Sequence, residues 1–111
     1  MNCMKVSIYI NESDKWNHRP LHLELMSMLD EEGIAGGTVL RAIAGFTYRE
    51  PVETASFVDI GANLPLVVQF LDTEERIESI LPRVKEMSGT RLIIREPVEV
   101  VNGMLATGPI S

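Results

Sequence analysis

Cysteine and long apolar runs are what this sequence of 111 residues has least of. Cys3 is the only cysteine, which excludes an intramolecular disulfide framework and a zinc site built from several thiolates. No apolar run approaches the roughly 18 residues that a membrane-spanning helix needs, and Met1–Lys5 is too short and too polar for a signal peptide. We therefore expect a cytoplasmic protein that does not insert into a membrane.

Basic residues are also scarce. The chain has ten Lys and Arg residues and 16 Asp and Glu residues, which gives a formal net charge of −6. An acidic chain without a Lys/Arg cluster is repelled by nucleic acid, so nucleic-acid binding is not expected. Catalytic patterns are missing too: the lone cysteine is terminal, and no Ser-His-Asp order or paired carboxylates can be placed in a pocket. We predict that the protein is not an enzyme.

The remaining composition is that of an ordinary globular domain. Hydrophobic residues make up 45% of the chain and charged residues 23%. The length suits a single domain, which we place at residues 1–103. Residues 104–111 show no periodicity, so we predict a loose C-terminal tail there.

Hydrophobic periodicity predicts six elements in the order β-α-β-β-α-β. The strands show apolar runs or alternation, and each helix carries an apolar stripe at helical spacing. Asp72 with Glu75 resembles a capping box, and Pro82 lies inside the helix that follows. The predicted elements are a strand over 4–10, a helix starting at Pro20 and stopping at Gly33, strands over 38–46 and 64–71, a helix ending at 88–90, and a strand over 91–101.

This order predicts a sheet that is covered on one face only, because two helices cannot cover both faces of four strands. The strands are nevertheless apolar on both faces: Val67 and Val68 must point in opposite directions. An uncovered apolar face needs a second layer, and the simplest layer is another copy of the chain. We therefore predict an oligomer.

Several blocks of the sequence, taken in order, resemble the PII-like signal proteins. These are Gly36–Phe46, Leu64–Val84 and Glu96–Val101, and the opening Asn11–Leu21 resembles one branch known as a domain of unknown function. The resemblance implies an α+β, ferredoxin-like βαββαβ subunit with a four-stranded antiparallel sheet, assembled as a homotrimer. It also implies adenine nucleotides bound between subunits, and a long mobile loop, 47–63, that docks onto a membrane transporter or an enzyme.

The same resemblance suggests ligand-binding residues. It places a strand hydroxyl at Thr38, the entry to the long loop at Gly45 and Phe46, and a phosphate loop at Gly89, Thr90 and Arg91. The chain departs from the family where Asn102 and Met104 replace arginines, and the phosphate loop has one glycine instead of two. Arg41 is a further candidate ligand-binding residue for a reason separate from the resemblance. A charge in an apolar strand needs a partner, which would be either a ligand anion or a carboxylate from a neighbouring subunit.

The favoured interpretation is a regulatory trimer that senses a small anionic ligand, with an adenine nucleotide foremost, and signals through residues 47–63. One alternative is a metal-handling trimer like the copper-tolerance relatives of this fold, which requires His18, His22 or Cys3 to converge. Another is a small enzyme using the cleft between subunits. Trp16, the only tryptophan, is expected to anchor its polar loop rather than to stack on a ligand.

Overall fold

The computed structural model describes residues 1–47, 53–54 and 63–110. Within them the chain forms the expected β-α-β-β-α-β order, followed by a short hairpin. The elements are β1 (Asn2–Asn11), α1 (Leu21–Glu31), β2 (Gly36–Arg41), β3 (Pro65–Asp72), α2 (Glu74–Ser88), β4 (Leu92–Glu99), β5 (Gly103–Leu105) and β6 (Gly108–Ile110). The expected mobile switch at 47–63 lies largely outside the described residues.

The first four strands form one antiparallel sheet in the order β2-β3-β1-β4. The register places Ile8 of β1 opposite Val68 of β3 on one side and opposite Ile93 of β4 on the other. Each helix connects two strands that are not neighbours, which is the split βαβ arrangement. The predicted α+β ferredoxin-like fold is confirmed.

The hydrophobic core lies between one face of this sheet and the two helices. Alternate residues of β1 and β3 point into it, since successive side chains of a strand face opposite ways. The helices contribute the apolar stripes that the sequence predicted. The central members are Val6, Ile8, Leu66, Val68 and Phe70 from the sheet and Leu21, Leu25, Ile77 and Val84 from the helices.

The start of α2 differs from the prediction. The N-cap is Thr73, whose hydroxyl accepts the backbone N–H of Arg76 at 3.3 Å, and not Asp72. Asp72 is still paired with Met4 as the last residue of β3, so its backbone cannot take the capping position. The helix runs through Pro82 and ends at Ser88, as predicted.

Two further segments correct the expectations. The second strand is shorter than 38–46: it stops at Arg41, and Ala44–Gly45 forms a separate ladder with Glu53–Thr54. The tail was expected to be loose over 104–111, but its described part, 104–110, forms the β5–β6 hairpin together with Gly103, and Leu105 is buried there. Gly108, with φ +122, adopts a conformation there that other residues disfavour.

The sheet face opposite the helices carries an apolar row that runs across all four strands. Leu40, Val67, Tyr9 and Leu92 lie side by side in register. Leu40 and Leu92 are each about half exposed, at 49% and 48%. The predicted second apolar face is therefore present, and we call it the open face. Neither helix in the described ranges is long and apolar enough to cross a membrane.

Candidate functional site

A cavity of about 220 Å³ lies at one end of the sheet. It is formed where β1 and β2 end and where β3 and β4 begin, so that four chain segments meet around it. Among the described residues, its walls combine aliphatic and aromatic side chains with one acidic and one basic residue. The lining residues are Tyr9, Ile10, Asn11, Asp14, Ala42, Ala44, Gly45, Phe46, Thr47, Pro65, Leu66, Val67 and Arg91.

Three of the seven ligand-binding residues expected from the sequence meet in this cavity: Gly45, Phe46 and Arg91. Thr38 does not line it. That residue is exposed on the open face, paired with Gln69, two positions before the row that reaches the cavity. The structure therefore joins the entry of the long connection to Arg91 and leaves the strand hydroxyl apart.

Arg41 also lies outside the cavity lining, and its partner belongs to its own chain. Its guanidinium donates to the carboxylate of Glu12, with 2.5 Å between Nη2 and Oε2. The side chain is 63% exposed, so solvent also stabilises its charge. Because Glu12 and solvent satisfy the charge, Arg41 requires neither a ligand anion nor a neighbouring subunit.

Gly89 and Thr90 form the turn that follows α2. The N–H of Gly89 donates to the carbonyl of Lys85 at 3.1 Å, and the N–H of Arg91 donates to the carbonyl of Ser88 at 3.2 Å. Gly89 has φ +60, a conformation that suits glycine at a helix end. Two N–H groups that a phosphate loop would offer are thus already bonded, and this turn chiefly positions the side chain of Arg91.

Arg91 forms a bidentate ion pair with Asp14 inside the cavity. Its Nε donates to Oδ2 at 3.0 Å, and its Nη2 lies 2.8 Å from Oδ1. Nη1 makes a longer contact, 3.4 Å, with the carbonyl of Ser88. This fork-to-fork geometry is the one in which arginine binds carboxylates and phosphates. The exposed side-chain fractions, 36% for Arg91 and 15% for Asp14, show that the pair is largely shielded from solvent.

Asp14 is held in its charged form. Burial by itself would raise its pKa, but hydrogen bonds from Arg91 and from the backbone N–H of Asn11, together with the charge of Arg91, outweigh burial and lower the pKa below its ordinary value. The Asn11 N–H lies 2.8 Å from Oδ2. The backbone of Asp14 is used as well, since its carbonyl accepts the first N–H of α1 from Leu21 at 2.8 Å. Asp14 therefore fixes both a turn after β1 and the start of α1.

The long connection between β2 and β3 begins and ends beside the cavity. The N–H of Ala42 donates to the carbonyl of Pro65 at 2.8 Å, and Gly45 packs so closely on the Pro65 ring that an added Cβ would lie 3.4 Å from Cγ. Phe46 is 73% exposed at the rim. Any molecule in the cavity would therefore touch the base of this connection.

Sequence reasoning missed Tyr9, Asn11 and Asp14 as site residues. The partners Asp14 and Arg91 are 77 positions apart, so no local spacing links them. Trp16 was interpreted correctly: it is partly buried and packs against the core of its own subunit, which anchors the loop. In the described ranges, no three His, Cys, Asp or Glu side chains are placed to hold a metal ion, and Cys3 is buried.

Comparisons with known proteins agree with this fold. The structure is similar to a CPII protein from Thiomonas intermedia K12 bound to ADP and bicarbonate, with a TM-score of 0.58 and 15% identity over 90% of this chain and 89% of that one. It is also similar to CutA1 from Pyrococcus horikoshii, with a TM-score of 0.54 and 21% identity over 89% and 86% of the two chains. At these identities the likeness establishes the fold alone.

Two relatives found by sequence comparison have higher sequence identity to this chain than these two structures. A UPF0166 protein of Methanocaldococcus jannaschii is 33% identical over 99 residues, which cover 88% of this chain and 91% of that protein. A UPF0166 protein of Aquifex aeolicus is 32% identical over 94 residues, or 85% and 89% of the two chains. The predicted resemblance to PII-like proteins, in a branch known as a domain of unknown function, is confirmed. Since the profile of the DUF190 family, described as "Uncharacterized ACR", matches residues 3–100, the chain belongs to that family.

Proposed function

We propose that this protein is a regulatory binding protein that senses a small ligand carrying an oxyanion and acts on a partner through residues 47–63. The observation that carries the proposal is the cavity itself, which places Arg91 next to both ends of the long connection between β2 and β3. Occupancy of the cavity can thus change the base of a segment long enough to reach a partner. The partner would be a membrane transporter or an enzyme.

The size of the cavity supports a site that a neighbouring copy completes. About 220 Å³ is less than the roughly 300–1,000 Å³ of pockets that enclose a drug-sized ligand. A nucleotide would therefore extend beyond this subunit and need another wall. The open face continues from the cavity through Tyr9 and Val67, both of which line it, so a copy packed on that face would supply the wall. We propose a homotrimer for this assembly.

An adenine nucleotide is the foremost ligand candidate, and bicarbonate is the smaller alternative. Both carry an oxyanion that a guanidinium can bind through two N–H groups. The similar CPII protein holds ADP and bicarbonate, which supports this choice of ligands. No group of three His, Cys, Asp or Glu side chains in the described part of the chain favours metal handling as a second function.

Calorimetry with ATP, ADP, AMP and bicarbonate tests the proposal. Wild type should bind at least one of them with a Kd below the millimolar range. Arg91→Ala should weaken that binding about ten- to a hundredfold, because it removes a charge-assisted contact. Arg95→Ala is the matched control, since Arg95 pairs with Glu78 on the helix side of β4, away from the cavity. Absence of binding to wild type, or equal losses in both variants, would contradict the proposal.

A further inference from the structure

In this cavity Arg91 is paired with a carboxylate of its own chain. The Asp14 carboxylate receives two N–H groups of Arg91, at 3.0 Å from Nε and 2.8 Å from Nη2. A ligand carboxylate, phosphate or bicarbonate would use the same two donors in the same planar arrangement. Asp14 and an oxyanion therefore compete for one position.

The charge balance of the cavity leads to the same conclusion. Among the described lining residues, Asp14 and Arg91 are the acidic and basic members, so the charge of Arg91 is balanced by that of Asp14. The whole chain carries a formal net charge of −6. An incoming anion gains full Coulombic attraction from Arg91 only if Asp14 moves away, because the carboxylate otherwise cancels it at close range.

Release of Asp14 would affect a defined segment. Its Oδ2 accepts the N–H of Asn11 at 2.8 Å, and its carbonyl accepts the N–H of Leu21 at 2.8 Å. Trp16, two residues after Asp14, packs against the core and pairs with Arg19 in a two-residue ladder. The Asp14 side chain is thus one of the contacts that hold segment 11–20, alongside the Glu12 N–H on the Leu64 carbonyl at 2.9 Å, and it is the contact that a ligand on Arg91 would displace.

From this geometry we propose that Asp14 stands in for the ligand's oxyanion, so that binding of an oxyanion to Arg91 releases Asp14 and loosens segment 11–20. The inference rests on the proposed function, because it concerns the same cavity. It adds a second output: the ligand would alter the entrance to α1 as well as the connection between β2 and β3. It also sets ligand specificity, since a cation or an uncharged ring cannot replace a carboxylate on Arg91.

The test compares Asp14→Asn with Glu12→Gln, using ADP, bicarbonate and inorganic phosphate as probes. Both variants remove one negative charge from the same loop, but Glu12 pairs with Arg41 and does not line the cavity. Asp14→Asn should bind the oxyanions about 10- to 100-fold more tightly than wild type, because the Asp14 carboxylate no longer competes for the same two N–H groups. Glu12→Gln should change the affinity by less than about threefold, as expected for a partly exposed charge away from the cavity.

Two measurements on wild type keep the test decisive even if a variant folds poorly. Saturating ADP should speed hydrogen exchange at the Asn11 amide, which loses its acceptor, and should shift the emission of Trp16, the only tryptophan. If ADP, bicarbonate or phosphate binds wild type and Asp14→Asn equally, with Trp16 and Asn11 unchanged, the stand-in role is wrong while the proposed function survives. If none of the probes binds either protein, the proposed function falls and this inference with it.

Discussion

At the scale of single residues, the ion pair between Asp14 and Arg91 dominates the candidate site. Arg91 could be named from the sequence because a family resemblance placed an anion-binding group there. Asp14 could not, because it lies 77 positions away in a polar loop that also contains Glu12. Which acidic residue of that loop turns inward is decided by the turn after β1, where the Asp14 N–H donates to the Asn11 carbonyl at 3.1 Å.

The lowered pKa of Asp14 predicts how stability depends on pH. A carboxyl group with a depressed pKa in the folded state stabilises that state above its unfolded value, 3.8, and loses this contribution as pH falls through the folded value. The gap in unfolding free energy between wild type and Asp14→Asn should therefore be constant from pH 7 to about 5. It should shrink below pH 3.8.

Urea denaturation at several pH values, without ligand, measures this gap. Charge-assisted hydrogen bonds of this kind are worth about 1.5–3 kcal/mol, which sets the size expected at neutral pH. Glu12→Gln serves as the control for a charge removed from the same loop. A gap between wild type and Asp14→Asn that persists unchanged at pH 3 would show that the ion pair is not its source.

At the scale of secondary structure, periodicity predicted the long elements and missed the short ones. The main strands and helices have apolar patterns of eight residues or more in most cases, and these patterns matched the core face. The C-terminal hairpin has three-residue strands and the 15–20 ladder only two, which are too short for any period to show. The choice of Thr73 over Asp72 as N-cap depended on strand pairing, a long-range effect.

Although Asp72 is not the N-cap, its carboxylate has a structural role, because it connects three parts of the fold. It is fully buried, and its carboxylate accepts the Thr73 N–H at 2.7 Å, the Ala35 N–H at 3.0 Å and Arg76 Nε at 3.0 Å. Arg76 in turn donates to the carbonyl of Glu32 at 2.7 Å. One carboxylate thus ties the end of β3 to the start of α2 and to the turn between α1 and β2.

Asp72→Ala should therefore lower the free energy of unfolding by roughly 3 kcal/mol or more, because it leaves buried donors without an acceptor. Glu96→Ala removes an exposed carboxylate paired with Lys5 at 3.3 Å and should cost less than about 1 kcal/mol. Thermal and urea unfolding of both variants checks the difference. Equal effects would mean that solvent replaces the bonds of Asp72.

At the scale of the whole molecule, the open face is the feature that bears on assembly. It presents a continuous apolar row across the sheet, and Ile94, 42% exposed, lies beside that row. Exposed apolar surface of this extent usually marks an interface. The sequence could predict the face from its two-sided strands. It could not predict that the candidate cavity opens at the end of the same row, because that depends on how β2 and β3 are joined.

The assembly prediction follows from that row. Wild type should form a trimer of three 12.4 kDa chains, measured by light scattering coupled to size exclusion. Leu92→Lys should break the trimer, because it places a charge within the apolar row that the assembly would bury. Leu23→Lys is the matched control: Leu23 is exposed to a similar extent, 57%, but lies on α1 at the other side of the sheet. A 12.4 kDa wild-type monomer at micromolar concentration, or dissociation by both substitutions alike, would remove the open face as the interface, and the cavity would then lack its second wall.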